Sequence, residues 1–211
     1  KELEPTDYIK GMKIGIPKEI YLDEMDKRLI EQFDKAIKVF ESLGASVEEI
    51  SLSHLEYGLS TYHVISTAEI SSTLARFDGL RYGYRAKEYS NLDELYINSR
   101  TEAFGDEVKR RILMGTYYLS QGLGREYYEK ALKMRTLIID DFNKAFKDFD
   151  VILTPTSPIL PFKLGKLKGE PLTKDLTSIF TAPVNLAGLC AMSIPCGYVD
   201  GLPVGLQIIG G

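Results

Sequence analysis

The apolar residues near the start of the chain switch between strand and helix spacing. Residues 12–16 form a short apolar run that ends at Pro17, and residues 45–50 form another, so both segments predict strands. The segment between them has six apolar positions at helical spacing: Leu29, Ile30, Phe33, Ile37, Phe40 and Leu43. We expect Asp23 to cap this helix and Gly44 to end it. A helix between two strands favours an α/β fold in which those strands lie parallel.

Helical patterns dominate the middle of the chain. Three helices are predicted, at residues 57–77, 107–121 and 125–149. The first is rich in serine and threonine, which is unusual for a helix that simply covers a core. A loop at residues 78–93 follows it. Asp106 is the expected cap of the second helix, and Gly122 and Gly124 separate the second helix from the third.

Strand patterns return in the last third of the chain. Residues 150–154, 191–196 and 203–209 have the apolar, β-branched content of strands. The first of these strands is ended by a series of prolines: Pro155, Pro158 and Pro161. The Asp200-Gly201 step between the other two predicts a tight hairpin turn. Because no internal repeat or low-complexity segment divides the sequence, we expect one domain over residues 1–211.

Composition and charge narrow the function classes. The 211-residue chain is 44% hydrophobic and 27% charged, with a formal net charge of -4. This balance gives no sustained positive surface for nucleic acid, so contact with RNA would need a partner chain. No apolar run reaches the roughly 18 residues that a membrane span needs, and no basic-then-apolar leader opens the chain. We therefore expect a soluble, cytoplasmic protein that does not contact a membrane.

The sequence carries no generic signature of a complete catalytic centre. It has no glycine-rich phosphate loop, no dinucleotide fingerprint and no G-x-S-x-G elbow. Cys190 and Cys196 lie in an apolar stretch far from both histidines, so we expect no metal site and place both thiols in the core. His63 has no carboxylate or cysteine placed beside it in the sequence, so we do not expect it to be catalytic.

One arginine is a candidate for binding a small anion. On a helical wheel the predicted buried stripe consists of Val108, Ile112, Gly115 and Leu119. Arg111 flanks this stripe, whereas Arg110 points almost the opposite way, into water. Because a guanidinium fork matches a carboxylate, Arg111 is a candidate for holding an anionic or zwitterionic substrate. The alternative is a solvated basic turn that makes a surface ion pair, and spacing alone leaves both interpretations open.

Two further segments have alternatives of the same kind. Tyr62, on the first long helix, could donate a hydrogen bond into a pocket or pack with its hydroxyl at the surface. Residues 154–158 form a rigid, hydroxyl-rich exit from a strand. Strand ends hold ligands in α/β folds, but proline-rich exits are also plain chain reversals.

Four segments taken together resemble a known family. They are SSTLARFDGLRYGYR at residues 71–85, FGDEVKRRILMGT at 104–116, PVNLAG at 183–188 and GLPVGLQ at 201–207. From residue 12 onward the chain resembles the amidase signature family. Motifs in the first two segments are specific to the glutaminase subunits of tRNA-dependent glutamyl/aspartyl amidotransferases. The resemblance implies an α/β/α sandwich with a mixed central sheet. We expect only part of that domain here, with the half that carries the nucleophile placed before Lys1.

The resemblance implies a glutaminase that releases ammonia from glutamine, which a partner subunit uses to amidate Glu-tRNA(Gln) or Asp-tRNA(Asn). In this family a lysine activates a serine nucleophile through a second serine, and backbone amides stabilise the oxyanion of the intermediate. None of these groups can be assigned in residues 1–211, so we expect the chain alone to be inactive. The implied complex is a heterotrimer in which a partner subunit uses ATP and Mg. This chain itself is expected to bind no cofactor.

The resemblance also assigns part of a glutamine pocket. Arg111 matches the arginine that holds the substrate carboxylate, and Tyr62 matches a pocket tyrosine. Ser178 stands where these glutaminase subunits have an aspartate for the substrate's amino group, and a hydroxyl cannot supply that charge. Either Asp175 takes its place through a loop shift, or the affinity for glutamine is weak. Two other functions remain open: a stand-alone amidase of another amide, favoured by Ser178, and a non-catalytic binding or assembly piece, favoured by the missing nucleophile.

Overall fold

The computed structural model describes residues 6–22, 25–166 and 175–211. Its helices are α1 Thr6–Ile9, α2 Lys27–Ser42, α3 Gly58–Leu74, α4 Leu92–Ala103, α5 Asp106–Leu119, α6 Leu123–Ala145 and α7 Ala182–Ala187. Its strands are β1 Lys13–Pro17, β2 Ser46–Ile50, β3 Val151–Pro155, β4 Cys190–Val199 and β5 Leu202–Gly210. The short 3-10 helices are Lys18–Ile20 and Leu55–Tyr57.

The chain divides into two compact units. The sheet unit is Lys1–Leu59 with Met134–Gly211, and the helical unit is Ser60–Lys133. Compactness describes how residues cluster in space, and it does not decide whether two units belong to one evolutionary domain. The expectation of one domain over residues 1–211 therefore stays a prediction.

The sheet unit contains a mixed five-stranded sheet in the order β2-β1-β3-β5-β4. β1 runs parallel to β2 and β3, whereas β5 runs antiparallel to β3 and β4. Ile14 in β1 and Ile152 in β3 are completely buried, as is usual for parallel strands covered on both faces. The predicted α/β fold with a mixed central sheet is confirmed.

Helix α2 connects the parallel strands β1 and β2 and packs on the sheet. Its Leu29 and Phe33 are buried, and the helix contacts β4, β2 and β5. The predicted cap Asp23 lies outside the described residues. The helix begins at Lys27, and the Asp26 side chain accepts a hydrogen bond of 2.9 Å from the backbone N–H of Arg28. Asp26 is therefore the residue that caps it.

Strands β4 and β5 form the predicted hairpin. Val199 pairs with Leu202, so the loop between them is the two-residue Asp200-Gly201 turn. Both turn residues have positive φ, 52° at Asp200 and 76° at Gly201, which is the geometry of a type I′ turn. The Arg28 guanidinium donates to Asp200 at 2.9 Å and fastens the turn to α2. Both strands are longer than the sequence pattern predicted.

Helices α3 and α5 approach closely within the helical unit. A Cβ added at Gly115 of α5 would overlap the carbonyl oxygen of Thr67 of α3, so only glycine fits at this point. One turn further along α3, the hydroxyl of Ser71 lies 3.0 Å from that of Thr116 of α5, and the two form a hydrogen bond. Thr67 and Ser71 are thus two of the small polar residues of α3 that lie at this close helix contact.

One helix was not predicted, and two others begin at a different residue from the one expected. Helix α4 was not predicted, although Asn91 caps it by accepting a hydrogen bond of 2.9 Å from the Glu94 backbone N–H. Asp106 is the first residue of α5 rather than its cap, which is Gly105. Gly124 lies inside α6, which therefore begins earlier than expected.

None of the helices in the described ranges combines the length and apolar composition that crossing a bilayer requires.

Candidate functional site

Arg111 is held at one end by a carboxylate on its own helix. Its Nε donates to Glu107 Oε1 at 2.8 Å. Arg110 donates to both oxygens of the same carboxylate, from Nε and Nη2, at 2.8 Å each. Hydrogen bonds from Arg110 and Arg111 lower the pKa of Glu107 to about 2, from an ordinary value of 4.5. Glu107 therefore carries a full negative charge at neutral pH and fixes the direction of both guanidinium groups.

The Arg111 side chain lines a cavity of about 500 Å³ within the helical unit. One wall consists of Glu69, Ile70, Thr73 and Leu74 from α3, and the other of Glu107, Val108 and Arg111 from α5. The Arg111 side chain is 28% exposed. No described residue accepts a hydrogen bond from its Nη1 or Nη2, so this edge of the guanidinium is available to a carboxylate ligand.

Arg110 takes a different position on α5. It is not part of the cavity wall. Its side chain is 43% exposed, and its Nη1 lies 2.8 Å from the sulfur of Met114. The wheel-based expectation that Arg110 is the more exposed arginine is thus met. The shared Glu107 was not foreseen, and it means that the surface ion pair and the cavity exist together rather than as alternatives.

Tyr62 also belongs to the helical unit, but it does not line this cavity. It lies about two helical turns before Glu69 on α3 and is half-buried. Its ring meets that of His63 edge to face, with centroids 5.8 Å apart. The pocket role of Tyr62 stays a prediction.

Ser178 and Asp175 belong to the sheet unit. The Ser178 backbone N–H donates to the Asp175 carbonyl at 3.0 Å, and the Ser178 carbonyl accepts from Ala182 at 2.9 Å. Ser178 thus lies in the turns that lead into α7. Its assignment to the amino group of a substrate, and the substitution by Asp175, stay predictions.

The hydroxyl-rich exit from β3 is tied to the hairpin. Gln207 of β5 donates its Nε2 to Thr154 Oγ1 at 2.9 Å and to the Phe180 carbonyl at 3.1 Å. The hydroxyls of Thr156 and Ser193 lie 2.7 Å apart. These bonds give the exit a structural role, while Thr156 and Ser157 also line a cavity of about 330 Å³ in the sheet unit. Both interpretations of this segment therefore remain open.

The burial of the two cysteines differs from the expectation that both thiols lie in the core. Cys190 is exposed on the edge strand β4, so its placement in the core was wrong. Cys196 is half-buried, and burial raises the pKa of its thiol.

His54 Nδ1 lies 2.9 Å from Asp141 Oδ2, which also accepts a hydrogen bond from the His54 backbone N–H at 2.9 Å. This pair ties two distant parts of the sheet unit together, and no sequence spacing indicated it.

Two acidic residues of the cavity were missed by the sequence interpretation. Glu107 lies four residues before Arg111, the spacing at which a glutamate and an arginine pair on a helix, so a signal for it existed. Glu69 had no such signal, because it reaches the cavity only through the packing of α3 against α5.

Comparison with known proteins gives consistent results. The family profile described as Amidase matches residues 4–211. The chain is 55% identical over 204 residues to the A-type subunit of the glutamyl-tRNA(Gln) amidotransferase of Clostridium botulinum, covering 97% of this chain and 42% of that relative. It is 53% identical over 205 residues to the corresponding amidotransferase subunit from Lactiplantibacillus plantarum, again covering 97% of this chain and 42% of that relative.

A solved structure agrees with the sequence comparison. The crystal structure of the same glutamyl-tRNA(Gln) amidotransferase subunit from Thermotoga maritima matches with a TM-score of 0.71 and 40% identity. The match covers 96% of this chain and 39% of that one. The chain thus spans less than half the length of these relatives. With the profile matching nearly every residue and the fold matching a solved member, this chain belongs to the amidase family.

Proposed function

We propose that this chain forms part of the glutamine-binding region of a glutaminase, the ammonia-producing subunit of a tRNA-dependent amidotransferase. The observation that supports the proposal most is the Arg111 guanidinium, held at Nε by Glu107 with its outer edge free in a cavity of about 500 Å³. A guanidinium fork of this kind suits the carboxylate of a small substrate. The names of the similar proteins point to the same activity.

In this proposal the chain binds substrate, and another part of the protein performs the chemistry. Acyl transfer from an amide needs an activated nucleophile and donors for the oxyanion. The resemblance implies that the two serines and the lysine lie outside residues 1–211. Ammonia released from glutamine would then pass to a partner subunit, which would use ATP and Mg to amidate a mischarged tRNA. The proposed assembly is a cytoplasmic heterotrimer that meets aminoacyl-tRNA through its partners.

A second function is favoured by one position. Ser178 cannot neutralise an ammonium group, which is what an α-amino acid substrate requires. An amidase that hydrolyses an amide without an α-amino group would have no need of that charge. Such an enzyme would show greater kcat/KM for simple aliphatic amides than for glutamine.

A chimera would test the proposal. Residues 1–211 replace the matching segment of the Clostridium botulinum relative, to which they are 55% identical, and the chimera is assembled with the partner subunits of that organism. We expect ammonia release from glutamine and glutamine-dependent amidation of Glu-tRNA(Gln). A chimera that assembles and amidates with free ammonia, but hydrolyses simple amides in preference to glutamine, would support the second function instead.

A further inference from the structure

The Arg111 cavity holds a charged group, Glu69, whose role is not explained by the proposed carboxylate contact. Three charged side chains line it, namely Arg111, Glu107 and Glu69. Both oxygens of Glu107 already accept hydrogen bonds from arginines. Glu69 is exposed, and it makes no hydrogen bond or ion pair with any residue in the described ranges. The cavity thus offers one guanidinium edge and one carboxylate that the protein leaves available.

These two groups stand on opposite walls of the cavity. Glu69 lies on α3, where Thr73 follows it by four residues and extends the same helix face. Arg111 lies on α5. The apolar side chains of Ile70, Leu74 and Val108 complete the walls. A site with a cation on one side, an anion on the other and apolar surface around them suits a small zwitterion with an aliphatic stem.

We propose that Glu69 binds the ammonium group of an α-amino acid whose carboxylate is held by Arg111. The inference rests on the proposed function in one respect, since it takes glutamine as that amino acid. Glu69 supplies the negative charge that the hydroxyl of Ser178 cannot, and it does so from within the helical unit. Glu69 is then the residue that distinguishes an α-amino acid from an amide that has only a carboxylate.

The experiment compares two ligands that differ by one charged group. Glutamine carries both charges, whereas glutaramate is glutamine without its α-amino group. Binding of each to the 211-residue chain is followed by NMR, using the Nε–Hε signal of Arg111 and the backbone amides of the cavity wall. We expect Glu69→Gln to weaken glutamine binding about three- to tenfold, since an open site screens the lost charge pair, and to leave glutaramate binding unchanged.

Two variants separate this inference from its alternatives. Asp175→Asn serves as the matched control, because it removes the same charge from the other candidate residue, and it should leave the binding of both ligands unchanged. Arg111→Ala should weaken both ligands alike. If Arg111→Ala weakens both but Glu69→Gln does not weaken glutamine selectively, the Glu69 assignment is wrong and the proposed function stands.

The remaining outcomes are equally decisive. Stronger glutaramate binding by Glu69→Gln, without loss of glutamine affinity, would show that Glu69 only repels the ligand carboxylate and would overturn the inference. A selective loss with Asp175→Asn would assign the ammonium to Asp175. If neither ligand shifts the Arg111 signal of the unaltered chain, this cavity is not an amino acid site. If the ligands bind but Arg111→Ala changes neither affinity, the carboxylate contact on which the proposed function depends is itself refuted.

Discussion

A single carboxylate sets the direction of two arginine side chains on α5. Glu107 accepts from Nε of Arg111, which is one of the two edges through which a guanidinium binds a carboxylate. The outer edge, formed by Nη1 and Nη2, is then the only one left for a ligand. A guanidinium with one edge already fixed loses less conformational entropy on binding than a free arginine does. In the proposed complex Glu107 would therefore position Arg111, because both of its oxygens are already occupied by arginines.

The first prediction concerns the two arginines in the chimera. Arg111→Ala removes a charged hydrogen-bonding pair of roughly 1.5–3 kcal/mol from a partly buried cavity, so kcat/KM for glutamine should fall about tenfold to a hundredfold. Arg111→Lys keeps the charge but loses the second parallel hydrogen bond, and it should fall between wild type and alanine. Steady-state ammonia release measures both effects.

Arg110→Ala provides the control for that series. Arg110 makes an exposed pair with Glu107, and such pairs contribute about 0–1 kcal/mol, so its loss should change kcat/KM little. Amidation driven by free ammonia should survive every substitution, because ammonia bypasses the glutamine pocket. Equal losses from both arginines, or loss of the ammonia-driven reaction, would mean that α5 matters for folding or assembly instead.

The second prediction concerns the pH dependence of the Glu107 pairs. The pKa of Glu107 is lowered from 4.5 to about 2 in the folded chain, so its ion pairs stabilise the fold above pH 4.5 and lose that effect as pH falls toward about 2. Because 49% of the Glu107 side chain is exposed, solvent screening limits the contribution to about 0–1 kcal/mol. Urea unfolding should show Glu107→Gln less stable than wild type near neutral pH. The gap should narrow as the pH is lowered, and a gap that widens in acid would contradict the assignment.

At the scale of elements, the sequence predicted the features that depend on neighbouring residues, namely the β1-α2-β2 crossover and the β4-β5 hairpin. The spacing of apolar residues predicted the crossover. The Asp200-Gly201 step predicted the hairpin turn, because both residues tolerate the positive φ that such a turn requires. Helix α4 was missed because its apolar pattern is weak, although its Asn91 cap was present in the sequence. Cys190 was misplaced because strand composition does not reveal which strand lies at the edge of a sheet.

The third prediction tests the contact between α3 and α5. Alanine at Gly115 would gain about 1 kcal/mol in helix propensity, but its Cβ would overlap the Thr67 carbonyl oxygen, a backbone atom that no rotamer change can move. We expect Gly115→Ala to lower the free energy of unfolding by about 1–3 kcal/mol, the usual cost of overpacking. Urea unfolding monitored by circular dichroism measures it.

Gly210→Ala is the matched control for this substitution. Apart from its chain neighbours, no heavy atom of the described residues lies within 4 Å of a Cβ added at Gly210, so the same change should be nearly neutral there. A neutral or stabilising Gly115→Ala would show that α3 and α5 do not pack as closely as described, and would also weaken the case for the cavity that they enclose.

At the scale of the whole molecule, the sequence analysis named Arg111 as a candidate binding residue but did not foresee the cavity that it lines. Helical spacing made Arg111 a candidate while leaving a surface ion pair open, and the family resemblance favoured the binding role. Both signals depend on residues close to Arg111 in the sequence. Glu69 lies more than forty residues earlier, and only the packing of α3 on α5 brings it to the same cavity. Charge placement across two helices is a tertiary property, so no periodicity in one helix could show it.

Within the part of the chain that the structure describes, β4 forms an exposed edge of the sheet. β4 is an edge strand, and most of its residues are exposed on both faces, including Met192 at 62% and Tyr198 at 66%. It carries no charged side chain. An uncharged, apolar edge strand leaves backbone N–H and C=O groups available to pair with another strand, and natural proteins usually block such edges with charge.

The last prediction follows from this edge. We expect the purified 211-residue chain to associate as its concentration rises and to bind a dye that detects apolar surface. Met192→Lys places a charge in the middle of β4 and should reduce both effects, as measured by sedimentation velocity and dye fluorescence. Leu164→Lys adds the same charge at a fully exposed loop position and should change neither, because it lies outside the sheet. A chain that stays monomeric and binds no dye would show that β4 does not mediate self-association. Equal protection by both lysines would mean that net charge, rather than the edge strand, governs association.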